Sequence, residues 1–321
     1  MREQTLLVGS ITVVAAAVGF AMLGPLARFA YDAGLEPFSF VAWRAAFGTL
    51  VVAVYAAWRI SRGRRFVAPW RLPRRQALML AIAAATGIVL NIATFIAFGR
   101  TTIALVLLGF YTYPAFVAIV AVARGHEALD AIRASALIVS LGGMVLVVAG
   151  GLDPSGPLRA DALGIGLALL AALSQTVFVT ISRHGFSAVP TEQAMGWLLA
   201  STMVVSAILA LAIGSTAELA LPVGSADALL IAIVSGVLGA GIPSILFLTG
   251  IRAIGGTRTG ILMLFEPVVG VLLAAALLDE RIQPIQALGG AAILGAAVLL
   301  QRSRPDPVLQ TGPRVASGAE R

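Results

Sequence analysis

The sequence predicts an all-α integral membrane protein with ten transmembrane helices in two inverted five-helix repeats. Three observations predict it. Apolar windows of membrane-spanning length recur along the chain. The chain matches itself at an offset of 153 residues. Arginine is distributed very unevenly between alternate loops.

Composition sets the class first. Hydrophobic residues make up 59% of the 321 residues and charged residues 12%, where a soluble domain carries about 25% charged. The mean hydropathy is +0.98. Length alone gives a prior of about two domains. The chain has no cysteine, which excludes disulfides and thiolate metal sites.

The spans follow in order from the spacing of charges. Charge-free windows run over 4–27, 76–99, 101–123, 134–152, 162–182, 193–217, 228–251 and 282–301, each 19 to 25 residues long. A hydrocarbon core of ~30 Å asks for helices of that length. Two more windows qualify with one charge each: 37–58 holds Arg44 and 259–278 holds Glu266. The windows are continuously apolar rather than alternating, so helices and not barrel strands satisfy their backbones. The first window is too long for a signal-peptide core and lacks a convincing cleavage site, so it is expected to be a retained helix.

All 22 basic residues are arginine, and the net charge is +7. With the N-terminus inside, 17 arginines fall in inside segments and 4 in outside segments, with Arg44 within a span. That asymmetry places both termini in the cytoplasm. The stretch "RISRGRRFVAPWRLPRR" then anchors topology, with anionic-lipid binding as its functional alternative. No basic run is interleaved with aromatics as in single-strand binders, so nucleic acid is not an expected partner. The tail, residues 303–321, is polar with Pro and Gly and is expected to be disordered.

At the offset of 153, Pro37 falls on Pro190, Pro69 on Pro222, Pro114 on Pro267, Glu127 on Glu280 and Gly142 on Gly295, without a gap. These matches predict two repeats, 5–151 and 161–302. Five spans per repeat is an odd number, so the halves insert in opposite orientations. The charges agree: one second-to-third-helix loop carries seven arginines, and its counterpart, 214–227, carries Glu218, Asp227 and no arginine. Inverted repeats recur among secondary transporters, with the substrate site near the midplane.

Each half also carries a proline followed thirteen residues on by glutamate, in "YPAFVAIVAVARGHE" and "EPVVGVLLAAALLDE". With "FVAWRAAFGTLV" and "LALLAALSQTVFVTISRHG", these stretches resemble the drug/metabolite transporter superfamily in its EamA-type ten-helix branch, over residues 10–302. The family often has Trp where Ser174 or Gln175 stands. The stretch "GTRTGILMLFEPVVGVLLAAALLDERIQPIQALG" looks most like the homoserine/threonine exporter branch. The resemblance implies alternating access around a central cavity, export of small metabolites such as amino acids or amphipathic drugs, and no cofactor. Its range of substrates is too wide for the fold to name one.

Glu266 is the strongest site candidate. A charged side chain at the bilayer centre costs on the order of 2.5–3.5 kcal/mol, so it is expected to face a cavity or a partner. Pro267 frees a carbonyl one turn earlier and predicts a kinked helix. The equivalents in half one are Tyr113 and Pro114. Glu266 would contact a substrate amine, carry a proton, or both; the alternative is a protonated glutamate bonded to a neighbouring helix. Arg44, ~9 Å below the outer surface, would snorkel and hold helix ends, or clamp a carboxylate, or pair with Glu266. Asn91, Tyr111, Tyr113, Gln175 and Ser244 would line a zwitterion-binding cavity or tie helices together. Glu127 and Glu280 would act as paired gates or as helix caps. His126 and His184 are assigned no role. Gly236, Ala240 and Ser244, four apart, would serve internal packing or dimerisation.

The expected function is secondary transport, with export of amino acids or related amphipathic compounds as the leading case. A drug or nucleoside exporter of the same fold is the nearest alternative. Proton coupling, uniport and exchange fit equally, and the state is a monomer or homodimer. An enzyme is disfavoured, because the spans hold no His, no Asp and no charged pair. A structural membrane protein is the third reading.

Overall fold

Where a proline interrupts an apolar span, the helix should open four residues earlier, because the ring removes the donor for that carbonyl. The computed structural model follows this rule along its length. It describes residues 2–125, 130–152, 161–278 and 281–301. In half one, α1 (Arg2–Ala21) and α2 (Leu23–Asp32) share the first span, and α3 (Pro37–Ser61) and α4 (Arg74–Arg100) follow. Then α5 (Ile103–Phe110) and α6 (Tyr113–Ala123) share the fourth, and α7 (Ala131–Gly150) is the fifth. Half two begins with α8 (Ala162–Ser182) and α9 (Thr191–Ala212). A short α10 (Thr216–Gly224) precedes α11 (Ala226–Gly236) and α12 (Ile242–Ile254), joined by a π-helical turn at Val237–Gly241. Finally α13 (Gly256–Met263) and α14 (Phe265–Leu278) share one span, and α15 (Pro284–Gln301) closes the fold.

Each interruption sits where a proline puts it. Pro25 lies four residues after the end of α1, Pro114 after the end of α5, and Pro267 after the end of α13. Pro243 lies four residues after Gly239, inside the π-helical turn. The α13–α14 span is thus two helices rather than the single kinked helix that the sequence suggests. Helix starts have local causes too. The Asp130 side chain accepts from the Arg133 N–H at 2.7 Å, and that of Asp161 from the Gly164 N–H at 2.7 Å. Both satisfy donors that a helix leaves open at its first turn.

Among the described residues, nine helical stretches are long and apolar enough to cross a membrane. Pro284–Leu300, the tenth window, is apolar but shorter. The repeat is visible in the elements: α5 maps onto α13 residue for residue at the offset of 153, and α7 and α15 start at equivalent positions.

The most extensive helix pairings are α7 with α15, α3 with α9, α4 with α8 and α1 with α12. The first two join an element to its own repeat equivalent. The last two are images of one another under the same exchange. In the α7–α15 pair, Gly143 lies against Gly289 and Ile293, while Gly150 lies against Gln286. The chains therefore run antiparallel. The same holds for α3 and α9, where Arg59 meets Glu192 at one end and Ala42 and Trp43 meet Met203 and Ala207 at the other. An element antiparallel to its own equivalent means that the halves are inverted.

The core is mainly apolar and lies where these pairs meet. Phe247 of α12 stacks on Phe178 of α8, with ring centres 6.1 Å apart, and meets Phe20 of α1 edge-on at 6.1 Å. Small residues set the closest approaches. A Cβ on Gly143 would stand 2.6 Å from the Gly289 carbonyl oxygen, so only glycine lets α7 and α15 meet there. The stripe in half two is spent in the same way: Gly236 packs on the Arg44 carbonyl and Ala240 against Gly48. At these positions the stripe serves internal packing.

Candidate functional site

The two central helix breaks cross. Gly260 of α13 packs against Pro114, with room for a Cβ only at 3.1 Å from the proline ring. This brings the α5–α6 break of half one against the α13–α14 break of half two. Tyr111 lies in the first break and Tyr113 begins α6; they are 3% and 1% exposed. The Phe110 ring lies 5.3 Å from each of their rings and wedges them in place.

Glu266 stands on the other side of this crossing, in the first turn of α14. Because the helix restarts at Phe265, the carboxylate lies at a helix N-terminus, where open N–H groups and the positive end of the dipole favour an anion. The Tyr111 hydroxyl, a donor, stands within interaction range of it, and so does Tyr113. Glu266 is half-buried and keeps accessible surface, whereas Leu264, two residues earlier, has none. A carboxylate, a phenol and a helix terminus together can hold a cation or an amine, or pass a proton.

Arg44 and Asn91 form a second, separate cluster. The Arg44 Nη2 donates to Asn91 Oδ1 at 2.7 Å, and Asn91 Nδ2 donates to the Gly87 carbonyl at 2.8 Å. Tyr31 of α2 is within electrostatic range of the guanidinium, whose Nε is buried without a hydrogen-bond partner. The arginine expected to snorkel, clamp a substrate or pair with Glu266 is thus held by an asparagine, and among the described residues no ion pair joins it to Glu266. Gln175 on α8 and Ser244 on α12 are half-buried. No hydrogen bond among the described residues joins either to these two clusters. Glu127 and Glu280 lie outside the described residues, as do His126 and the tail from 302.

The residue types and register match one family model. The EamA-like transporter family matches residues 7–149 and again residues 162–302, once for each half. The chain belongs to the EamA-like transporter family. A solved crystal structure with 21% sequence identity shares the fold with a TM-score of 0.78, covering 94% of this chain and 97% of that one. No curated protein matches the sequence. The transporter is thus a multi-pass membrane protein of the drug/metabolite transporter superfamily.

The structure also reveals polar ties that the sequence did not signal. At the arginine-rich end, Arg252 of α12 donates to the carbonyls of Val189 at 2.9 Å, Phe186 at 3.3 Å and Ser182 at 3.4 Å, and to Thr191 Oγ1 at 3.1 Å. It staples the loop between α8 and α9. Gln193 bonds the Val67 N–H and the Arg65 carbonyl, joining half two to the basic loop of half one. At the opposite end Ser215 bonds Glu36, and the Trp43 indole donates to the Leu219 carbonyl at 2.8 Å. Arg252 reads from sequence as one more topology charge; only its long-range acceptors distinguish it.

Proposed function

We propose that this transporter moves a small metabolite by alternating access, with the inverted halves rocking about the crossing of the two helix breaks. Glu266 lies on the path. The observation that carries this is the Glu266–Tyr111 pair, a carboxylate and its donor contributed by different halves at the point where both helices are broken. Relative movement of the halves makes or breaks that pair. The carboxylate can therefore hold a substrate amine or a proton in one state and release it in the other.

The proposal extends to direction and cargo. By resemblance, the cargo is an amino acid or a related amphipathic compound, and the direction is export. By the arginine count, both termini face the cytoplasm; the absence of lysine beside so much Ala and Gly suggests a bacterial genome, and so a bacterial inner membrane. The protein acts without a cofactor and performs no chemistry on its cargo.

Efflux tests the reading. Cells lacking their own exporters are loaded with a panel of labelled amino acids, and wild type, Glu266→Gln and empty vector are compared at two external pH values. Wild type is expected to exceed the vector for at least one amino acid, and Glu266→Gln to fall to the vector level. Equal efflux by the variant removes Glu266 from the path. Wild type equal to vector across the panel removes amino-acid export and moves the search to drugs and nucleosides.

A further inference from the structure

The loop between α3 and α4 is more than a run of charge. Residues 59–75 carry seven arginines and no acidic residue. Six of them, Arg62, Arg64, Arg65, Arg71, Arg74 and Arg75, are exposed, and among the described residues none pairs with a carboxylate. Between them two aromatic rings face outward: Phe66 is 56% exposed and Trp70 is 75% exposed. The loop joins the ends of two apolar spans, so it lies at the level where hydrocarbon gives way to headgroups.

A topology signal requires only positive charge during insertion. It does not require exposed rings, nor a fixed backbone. Here the backbone is fixed. The Gln193 side chain accepts from the Val67 N–H at 2.8 Å and donates to the Arg65 carbonyl at 2.9 Å. A short 3₁₀ turn at Pro69–Arg71 follows, and the Trp70 ring meets Trp197 edge-on at 6.3 Å. The pinned loop therefore presents guanidinium groups on either side of two rings. Guanidinium forks match phosphate oxygens, and aromatic rings settle at the headgroup boundary.

We propose that this loop is a docking surface for the headgroups of anionic phospholipids in the adjoining leaflet. Clustered basic residues beside a transmembrane helix attract such lipids, and Phe66 and Trp70 anchor the loop among them. Gln193 belongs to half two, so a bound lipid also steadies a contact between the halves. The proposal stands apart from the transport reading, since it concerns a surface and not the path.

The test uses the full chain in phosphatidylcholine bilayers doped with brominated phosphatidylglycerol or brominated phosphatidylcholine. The Trp70 signal is the fluorescence difference between wild type and Trp70→Phe. Brominated phosphatidylglycerol is expected to quench it at about one-tenth of the lipid fraction needed with brominated phosphatidylcholine. That preference is expected to vanish in about 1 M salt. The combined Arg64→Gln, Arg65→Gln and Arg71→Gln variant is expected to lose it, and the matching lysine variant to keep it. If the glutamine variant does not insert, the wild-type salt series decides alone. Equal quenching by the two lipids overturns the proposal. So does an unquenched Trp70, which would mean that protein covers the loop. Recovery of the signal on adding free glycerol phosphate would make a soluble phosphate the occupant and likewise overturn it.

Discussion

The two halves of the transporter carry the same break and different chemistry. At the offset of 153, Pro114 answers Pro267, and α5 answers α13. Yet Tyr113 stands where half two has Glu266, and Leu264 stands where half one has Tyr111. The shared residues are those that shape the backbone. The unshared ones are those that carry charge and hydrogen bonds. A duplicated scaffold thus supplies two crossing breaks, and the asymmetry between them places one carboxylate against one phenol.

The largest test of this comparison moves the carboxylate. Tyr113→Glu in a Glu266→Gln background puts it at the equivalent point of half one, where Leu264 can donate nothing. Efflux is expected to stay at the vector level, as for Glu266→Gln alone. Rescue would mean that the halves are interchangeable and that Tyr111 is incidental.

The next effect falls on what the halves share. Gly143→Leu forces a side chain into the α7–α15 contact, where even a Cβ meets the Gly289 carbonyl. Overpacking of this kind costs about 1–3 kcal/mol, read as a lower melting temperature in detergent. A variant as stable as wild type would show that these helices separate without cost.

A smaller effect is expected at the asymmetric pair. Tyr111→Phe removes the donor to Glu266 and keeps the ring. A hydrogen bond contributes about 0.5–1.5 kcal/mol net, and part of that is recovered if water replaces the hydroxyl. The variant is expected to fold, with a modest loss of stability and a shifted pH profile of efflux. An unchanged profile would separate Tyr111 from the function of Glu266.

The smallest effect lies at the end of the molecule away from the basic loop. The Arg100 guanidinium grips Asp161 at 3.2 and 3.3 Å and holds its carboxyl below the usual carboxylate range. A lowered carboxyl contributes stability that is present at neutral pH and is lost as pH falls through that lowered range. Both side chains are exposed, so Asp161→Asn is expected to lower the melting temperature slightly at neutral pH and not at all in strong acid. A large loss at neutral pH would show that the pair holds more than a helix start.

Much of this was legible in the sequence, for identifiable reasons. Charges bounded the spans because they are excluded from hydrocarbon. Pro267 and its equivalent Pro114 marked the two central breaks, because each removes a specific donor; the breaks before Pro25 and Pro243 follow the same rule but were not singled out. The offset gave the inverted repeat, and the packing of α7 on α15 and of α3 on α9 is its physical form. The pairing of Tyr111 with Glu266 was not legible, since it depends on how two breaks cross in space. Neither was that of Arg44 with Asn91, which lie 47 residues apart on adjacent helices. Arg252 looked like a loop charge because its acceptors are backbone carbonyls, and those have no sequence signature.

The central claim is that Glu266 faces a water-filled path between the halves. The chain has no cysteine, so Glu266→Cys carries the only thiol. Its reaction rate with a small cationic methanethiosulfonate in membranes is the most direct measurement, with the fully buried Leu248→Cys and the outward-facing Ile208→Cys as references. The account predicts that Glu266→Cys reacts at least about tenfold faster than both, because only thiolate in water reacts readily. A rate equal to that of Leu248→Cys would contradict it, and would make Glu266 a packed residue with no place on a transport path.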